Sequence, residues 1–274
     1  MPEGPEVKTF AVSLDKKFSG KVLISLRQNP SFRYDLSKLI NKFPLRLKSV
    51  NSHGKKLYFE FERENFLLVS LGLEGSFSFE SKKNELLSFL WGERSSDNFL
   101  KVCEVLIFSD TRRFSIFEFF DSKEKLNLRL SKLGFDLLGE NPPTVEAWKN
   151  LFEKSKTRDQ STIAEYLLKQ EKICSIGNYL RAEILYEAKI SPFRKVAELT
   201  DSEIETLYYI SLDLTQKAYL SRGATLRTYS DLWGEKGNFE VKIYGKKTDP
   251  YGNKIKTSQD RNGRTIWYSP KVQI

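Results

Sequence analysis

Met1-Pro2-Glu3-Gly4-Pro5-Glu6 opens the chain, and Val7, Phe10, Ala11, Leu14 and Phe18 follow it at the three-and-four spacing of one helix face. The stretch has two readings. Proline pre-sets φ for a first helical turn and carboxylates suit the positive end of the helix dipole, so these residues start a helix well. Alternatively, removal of the initiator methionine leaves Pro2 with a free secondary amine. An α-amino group titrates at roughly 7.7–8.0, against about 10.4 for lysine, so a useful fraction is uncharged near neutral pH. Glu3 beside it and Glu6 one turn on would then make an amine nucleophile with a carboxylic acid at hand, suited to Schiff-base chemistry at a sugar or carbonyl carbon. On these residues alone, helix initiation is the simpler reading.

After Gly20 the period changes. Val22, Ile24 and Leu26 alternate, then Leu57, Phe59 and Phe61, then Val105, Ile107 and further aromatic residues to Phe120, with turn residues at Pro30, Pro44, Gly54, Gly72 and Gly75. Residues 1–125 therefore read as a helix heading a sandwich of two packed β-sheets. Residues 126–143 read as a linker ending in Asn141-Pro142-Pro143. Helical patterns occupy Thr144 to Lys154, Thr162 to Leu168, Tyr179 to Ala188 and Asp201 to Tyr219, so 144–238 reads as a helical domain. Strand candidates return at Phe239 to Tyr244 and Thr265 to Tyr268, making 239–274 a hairpin. The whole is an α+β chain.

Composition narrows the function. The 274 residues hold two distant cysteines, Cys103 and Cys174, and one histidine, His53, too few for a zinc site or a histidine-based triad. No run approaches the roughly 18 apolar residues of a membrane span, and no secretory leader precedes the first helix, so a soluble, intracellular protein is expected. The net charge is +9, and from Val241 to Ile274 eight lysines and arginines stand against Asp249 and Asp260. Tyr244, Tyr251, Trp267 and Tyr268 interleave with them, a pattern that suits a polyanion. Between the helices, Gly177-Asn178 opens a helix after a compact turn. This is either an anion site or an ordinary cap.

Three segments in this order, Met1 to Val7, Ile176-Gly177-Asn178-Tyr179-Leu180-Arg181-Ala182-Glu183-Ile184-Leu185-Tyr186, and Asp260-Arg261-Asn262-Gly263-Arg264-Thr265-Ile266-Trp267-Tyr268, resemble the formamidopyrimidine/endonuclease VIII family of DNA glycosylases. The likeness spans essentially the whole chain, and within the family it is nearest to the Nei-like type whose finger lacks zinc. It implies a helix-two-turn-helix within 144–238, a zincless finger at 239–274, and a monomer that binds damaged double-stranded DNA, with single-stranded or bubble DNA as further forms. It also implies a location with the DNA, nuclear in a eukaryote and cytoplasmic otherwise. No cofactor or metal is expected, because relatives that bind zinc use four cysteines where this tail has none.

Carried onto this sequence, the resemblance makes Pro2 the nucleophile at C1′ and Glu3 the general acid, with Glu6 helping to hold the site. Lys55, with Lys56 as the alternative, matches a phosphate-contacting lysine. Asn178 and Arg264 match a pair of phosphate clamps. Leu73, where relatives carry Met, matches a wedge that fills the gap left by a flipped nucleotide, with Arg112 facing the orphaned base and Phe114 stacking. Gly223 to Gly237 matches a lesion-capping loop. The expected activity is base removal followed by β,δ-elimination on oxidised bases, pyrimidines and hydantoin-type lesions ahead of formamidopyrimidine and 8-oxoguanine. A catalytically silent nucleic-acid-binding protein is the reading from another class.

Overall fold

The computed structural model describes residues 2–81, 84–94, 100–156, 160–225 and 230–274. Helix α1 (Gly4–Phe18) carries the predicted stripe, and Val7, Phe10, Ala11, Leu14 and Phe18 are all buried. At about 1.5–3 kcal/mol for each large apolar side chain removed from water, this stripe anchors the helix firmly on its sheet. Strands β1 (Val22–Gln28), β2 (Leu45–His53), β3 (Lys56–Phe61), β4 (Asn65–Ser70), β5 (Ser76–Ser78), β6 (Glu85–Arg94), β7 (Leu100–Ser109) and β8 (Ile116–Phe120) follow, with the one-turn helix α2 (Ser37–Ile40) between β1 and β2. They form an antiparallel sheet in the order β5-β7-β6-β1-β2-β3-β4-β8. Only two residue pairs, Val22 with Arg46 and Leu23 with Leu45, register β1 against β2.

That short junction lets the sheet fold onto itself. The ring of Phe59 on β3 lies 5.6 Å from Phe89 on β6 and 6.0 Å from Phe77 on β5, and Phe108 on β7 lies 5.0 Å from Phe117 on β8. These strands are remote in the sheet order, so their rings meet only because the two leaves face each other as a sandwich. On β7 the predicted alternation is not kept in burial. Val105 is 40% exposed, whereas Leu106, Ile107 and Phe108 are all buried. The end of the strand is covered on both faces, and a strand buried on both faces reads as a continuous apolar run. Helix α3 (Lys123–Leu130) packs on β4 and β8 through Leu126, Phe66 and Leu68.

The chain divides into two units. The first is residues 1–2, 6–132 and 225–237, and the second is residues 3–5, 133–224 and 238–274. The returning segment 225–237 puts Leu232 into the sandwich core and sets Trp233 5.3 Å from Phe79. Within the expected lesion-capping loop, residues 226–229 lie outside the described residues.

In the second unit, α4 (Val145–Lys156), α5 (Ile163–Tyr166), α6 (Asn178–Glu187) and α7 (Asp201–Leu220) form the helical part. Thr144 caps α4 at the amide of Ala147, and Thr162 with Glu165 and Thr200 with Glu203 form capping boxes on α5 and α7. Residues 179–186 of α6 are all buried, so Arg181 and Glu183 lie in the interior. The tail holds one hairpin, β9 (Lys256–Gln259) with β10 (Thr265–Tyr268). The strand expected at Phe239 to Tyr244 does not form, because the backbone amides of Lys242, Ile243 and Tyr244 bond to the Glu183 carboxylate instead of to a neighbouring strand. Apolar contacts also hold the tail, with Ile243 and Ile255 clustered against Ala182, Tyr186 and Trp267.

Candidate functional site

Helix α6 begins at a glycine, and the sequence at that point offers backbone amides with no intrahelical partner. Glu3 occupies them. Its Oε2 accepts from Gly177 N at 2.8 Å and Leu180 N at 3.2 Å, and its Oε1 accepts from Tyr179 N at 2.8 Å. The anion bound at this helix N-terminus is therefore the protein's own carboxylate, 1% exposed, in a position that both dipole and N–H geometry favour. Gly177 is required here, since a Cβ on it would lie 2.2 Å from Glu3 Cδ. Gly4 fixes the approach from the other side. Its amide donates to Ser175 O at 2.9 Å, and a Cβ would lie 2.7 Å from Ser175 Cβ.

Asn178 does not cap α6 with its side chain. Its Nδ2 donates to Thr265 O at 3.2 Å and its Oδ1 accepts from Arg181, which ties the start of α6 to the β10 strand of the tail. Arg264, in the turn before β10, has an exposed side chain. The first expected clamp, Asn178, thus bonds to the carbonyl of the residue that follows the second.

In the first unit, Pro2 and Glu6 are buried. Gly54 and Lys55 form the two-residue turn between His53 and Lys56, with Gly54 at φ +54°. The two lysines have different surroundings. Lys56 is the first residue of β3, where burial and then the nearby Arg129 hold its ammonium below the usual pKa, with Glu118 opposing. Lys55 stands in the turn itself.

The two loops expected to fill a DNA gap are brought together in the same unit. Gly72, at φ +64°, packs so closely that an added Cβ would lie 2.6 Å from the carbonyl carbon of Phe114. Leu73 follows Gly72 in this turn. Opposite it, Asp110 organises the Arg112 loop, accepting from Arg112 N at 3.0 Å and Ser115 N at 2.7 Å. Arg113 takes a left-handed φ of +58°, with its carbonyl bonded by Arg33, and Tyr34 holds the Ser115 carbonyl at 2.5 Å. A fixed loop therefore presents Phe114, 53% exposed, with the Arg112 guanidinium 5.2 Å from its ring centre.

Residues 1–117 match the formamidopyrimidine-DNA glycosylase N-terminal domain, and residues 138–230 match the formamidopyrimidine-DNA glycosylase H2TH domain. The formamidopyrimidine-DNA glycosylase of Rickettsia africae is 31% identical over 257 residues, covering 90% of this chain and 89% of the relative. The chain belongs to the formamidopyrimidine-DNA glycosylase family. That of Lactococcus lactis subsp. lactis is 28% identical over 259 residues, with 90% and 89% covered. The complex of Lactococcus lactis Fpg with abasic-site-containing DNA superposes with a TM-score of 0.84 at 26% identity, covering 99% of both chains. As a member of this family the chain is a DNA N-glycosylase with abasic-site lyase activity, and damaged DNA is its partner. The silent-binder reading is set aside on that ground.

Family membership raises the question of a metal in the tail. Residues 239–274 contain neither cysteine nor histidine, and among the described residues no group of three or more His, Cys, Asp or Glu side chains is placed to hold a metal ion. The donor set for a zinc finger does not fit this member of the glycosylase family. Buried carboxylates do the fastening instead, and the sequence reading missed them. Besides Glu183, Asp249 accepts from Tyr251 N at 3.0 Å, Asn253 N at 2.8 Å and the Ser269 hydroxyl at 2.9 Å. The signal was available in α6. Arg181 and Glu183 stand among Tyr179, Leu180, Ala182, Ile184, Leu185 and Tyr186, and charges buried in so apolar a stretch need partners. No helix among the described residues is long and apolar enough to cross a membrane.

Proposed function

We propose that the chain removes an oxidised base through a Schiff base at Pro2, with Glu3 moving the protons, and then cleaves the strand by β,δ-elimination. The observation that carries this reading is the seat of Glu3 at the N-terminus of α6, one peptide bond from Pro2. The Pro2 nitrogen, freed by loss of Met1, forms a bond to C1′ as the bond to the base breaks. Glu3 protonates the sugar ring oxygen as the ring opens to an iminium. The iminium withdraws electrons from C2′, a proton leaves that carbon, and the C3′–O bond breaks with phosphate as leaving group. Loss of a further proton and the 5′ phosphate completes δ-elimination. Proton transfer demands a carboxyl held within hydrogen-bond reach of the reacting atoms, and three backbone amides fix this one. In this scheme Lys55, Asn178 and Arg264 hold phosphates, Glu6 supports the start of α1, and Leu73, Arg112 and Phe114 fill the gap left by the flipped nucleotide.

Formamidopyrimidine and 8-oxoguanine are the proposed lesions. The sequence motifs ranked oxidised pyrimidines first, but the matching relatives carry the name formamidopyrimidine-DNA glycosylase, and one matching structure is a Lactococcus lactis Fpg mutant bound to Fapy-dG DNA. Oxidised pyrimidines stay as the second reading, supported by a complex of wild-type Lactococcus lactis Fpg with DNA containing one. Borohydride trapping on formamidopyrimidine, 8-oxoguanine and thymine glycol duplexes tests both parts. A covalent adduct mapped to Pro2 is expected, fastest with formamidopyrimidine. An adduct at a lysine, or none, would reject the mechanism, and faster trapping on thymine glycol would reverse the lesion order.

A further inference from the structure

The turn that carries Arg264 is fastened to α6 by a buried ion pair. Arg181 lies one turn beyond Asn178 and is 1% exposed. One terminal nitrogen donates to Asp260 Oδ2 at 2.9 Å and to Ala164 O at 3.4 Å. The other donates to Thr265 O at 2.9 Å and to Asn178 Oδ1. Asp260, 8% exposed, organises the β9–β10 turn with its other oxygen, which accepts from Asn262 N and Arg264 N, both at 2.9 Å. Its own amide donates to Arg264 O at 2.9 Å. Arg264 is thus bracketed: its N–H and C=O are both bonded to Asp260, and the carbonyl of the next residue is bonded to Arg181 and Asn178.

We infer that Arg181 and Asp260 are positioning residues for the DNA phosphate contacts, locking the Asn178 side chain and the Arg264 turn into one rigid element in a tail without metal ligands. The inference rests on the proposed clamp roles of Asn178 and Arg264. A planar guanidinium with several fixed donors orients its partners in a way a point charge does not. Stability alone is a poor account of the pair. A buried ion pair is weak evidence for stability, because desolvating both charges offsets much of their attraction. Burial does push the Asp260 carboxyl up, but the Arg264 amide and the Arg181 guanidinium outweigh it and keep the group below its usual pKa. The positively charged partner of Asp260 also lies near Arg264, so the exposed arginine is held close to a second cation and kept available for an anion.

The test uses the full chain and a duplex containing a tetrahydrofuran abasic analogue for affinity, with single-turnover excision on a formamidopyrimidine duplex at saturating enzyme. Trapped adduct normalises for active protein. Arg181→Met is expected to weaken binding about tenfold and to reduce the salt slope by about one, the signature of one lost phosphate contact. The saturated excision rate should stay within about threefold, placing the loss in binding rather than chemistry. In an Arg264→Ala background the same change should cost clearly less than about tenfold, since only its hold on Asn178 is left to lose. Arg181→Lys should restore part of the affinity. Asp260→Asn, which keeps the shape of the turn, should repeat the binding loss and serves if Arg181→Met does not fold. Unchanged affinity per active molecule, or a full additive loss in the Arg264→Ala background, would overturn the inference while leaving the glycosylase reading intact. A wild-type chain that neither binds the duplex nor traps at Pro2 would overturn the glycosylase mechanism and the inference with it.

Discussion

In the β-sandwich, Phe59 is held by rings: Phe61, Phe77 and Phe89 all lie within 6.2 Å of its centroid. In the tail, Glu183, Asp249 and Asp260 hold the backbone through directional hydrogen bonds, and Glu183 alone takes three consecutive amides at 2.7, 3.1 and 2.9 Å. The difference follows from size. The sandwich has two leaves between which many side chains leave water, whereas a two-stranded hairpin is marginal by itself and has little apolar surface to bury. Apolar packing is strong but tolerant of shape. Carboxylate–amide bonds are individually modest and fix position closely. The tail, which carries the proposed phosphate clamp Arg264, uses the second kind.

Substitutions can break this comparison, and the largest effect belongs to the sandwich. Phe59→Ala removes a fully buried ring and should cost about 3–5 kcal/mol in denaturant unfolding, while DNA affinity per folded molecule stays unchanged. A loss below about 1 kcal/mol would mean that the rings are not the main support. Gly177→Ala should invert that pattern. The new Cβ must displace the Glu3 carboxylate, so single-turnover excision should fall by about a hundredfold or more with a far smaller change in unfolding free energy. Near-normal excision would show that the seat of Glu3 is not needed for chemistry.

Glu183→Gln tests the carboxylate side directly. An amide nitrogen would face backbone donors, leaving at least one N–H unpaired at a cost of about 1–3 kcal/mol. Hydrogen exchange should lose protection at Lys242, Ile243 and Tyr244, and protection unchanged there would refute the anchoring role. Burial pushes the Glu183 carboxyl up, more than those three amides pull it down. Its folded pKa therefore lies above the unfolded one, so ionising it lowers stability as pH rises between the two values, a contribution that Gln removes.

Glu203 has the opposite sign and the smallest effect. Its hydrogen bond with Arg194 is the main reason its carboxyl is held down to about 2; burial opposes this, and the Thr200 amide and hydroxyl assist. With the folded pKa below the unfolded one, its stabilisation is present above roughly pH 5 and is lost as pH falls through about 4 toward 2. Glu203→Gln should flatten that acid limb by less than about 1 kcal/mol, as suits a partly exposed pair. Thermal melts between pH 2 and 6 would detect it, and a mutant curve parallel to wild type would reject the assignment.

Much of this was legible in the residues. Helix α1, the alternating strands, the Thr caps and the absence of metal donors in the tail follow from periodicity, hydrogen-bonding capacity and composition, which are local properties of the chain. The motifs around Pro2, Gly177 and Arg264 named the family. Lys55 could not be separated from Lys56 by spacing, because which of two adjacent residues occupies a turn depends on strand register. Tertiary structure placed His53 opposite Lys56 and left Lys55 in the turn. It also decided what the opening stretch and the amides after Gly177 do for each other. Taken alone, Pro2-Glu3 reads as helix punctuation and Gly177-Asn178 as either an anion site or an ordinary cap, yet the amides there hold an anion, Glu3, about 175 residues away in sequence. No local rule pairs a carboxylate with amides that distant. The burial of Arg181 and Glu183 is foreshadowed by the apolar residues around them in α6, but their partners, Asp260 and the amides of Lys242, Ile243 and Tyr244, are set by what packs against the helix and not by the helix sequence.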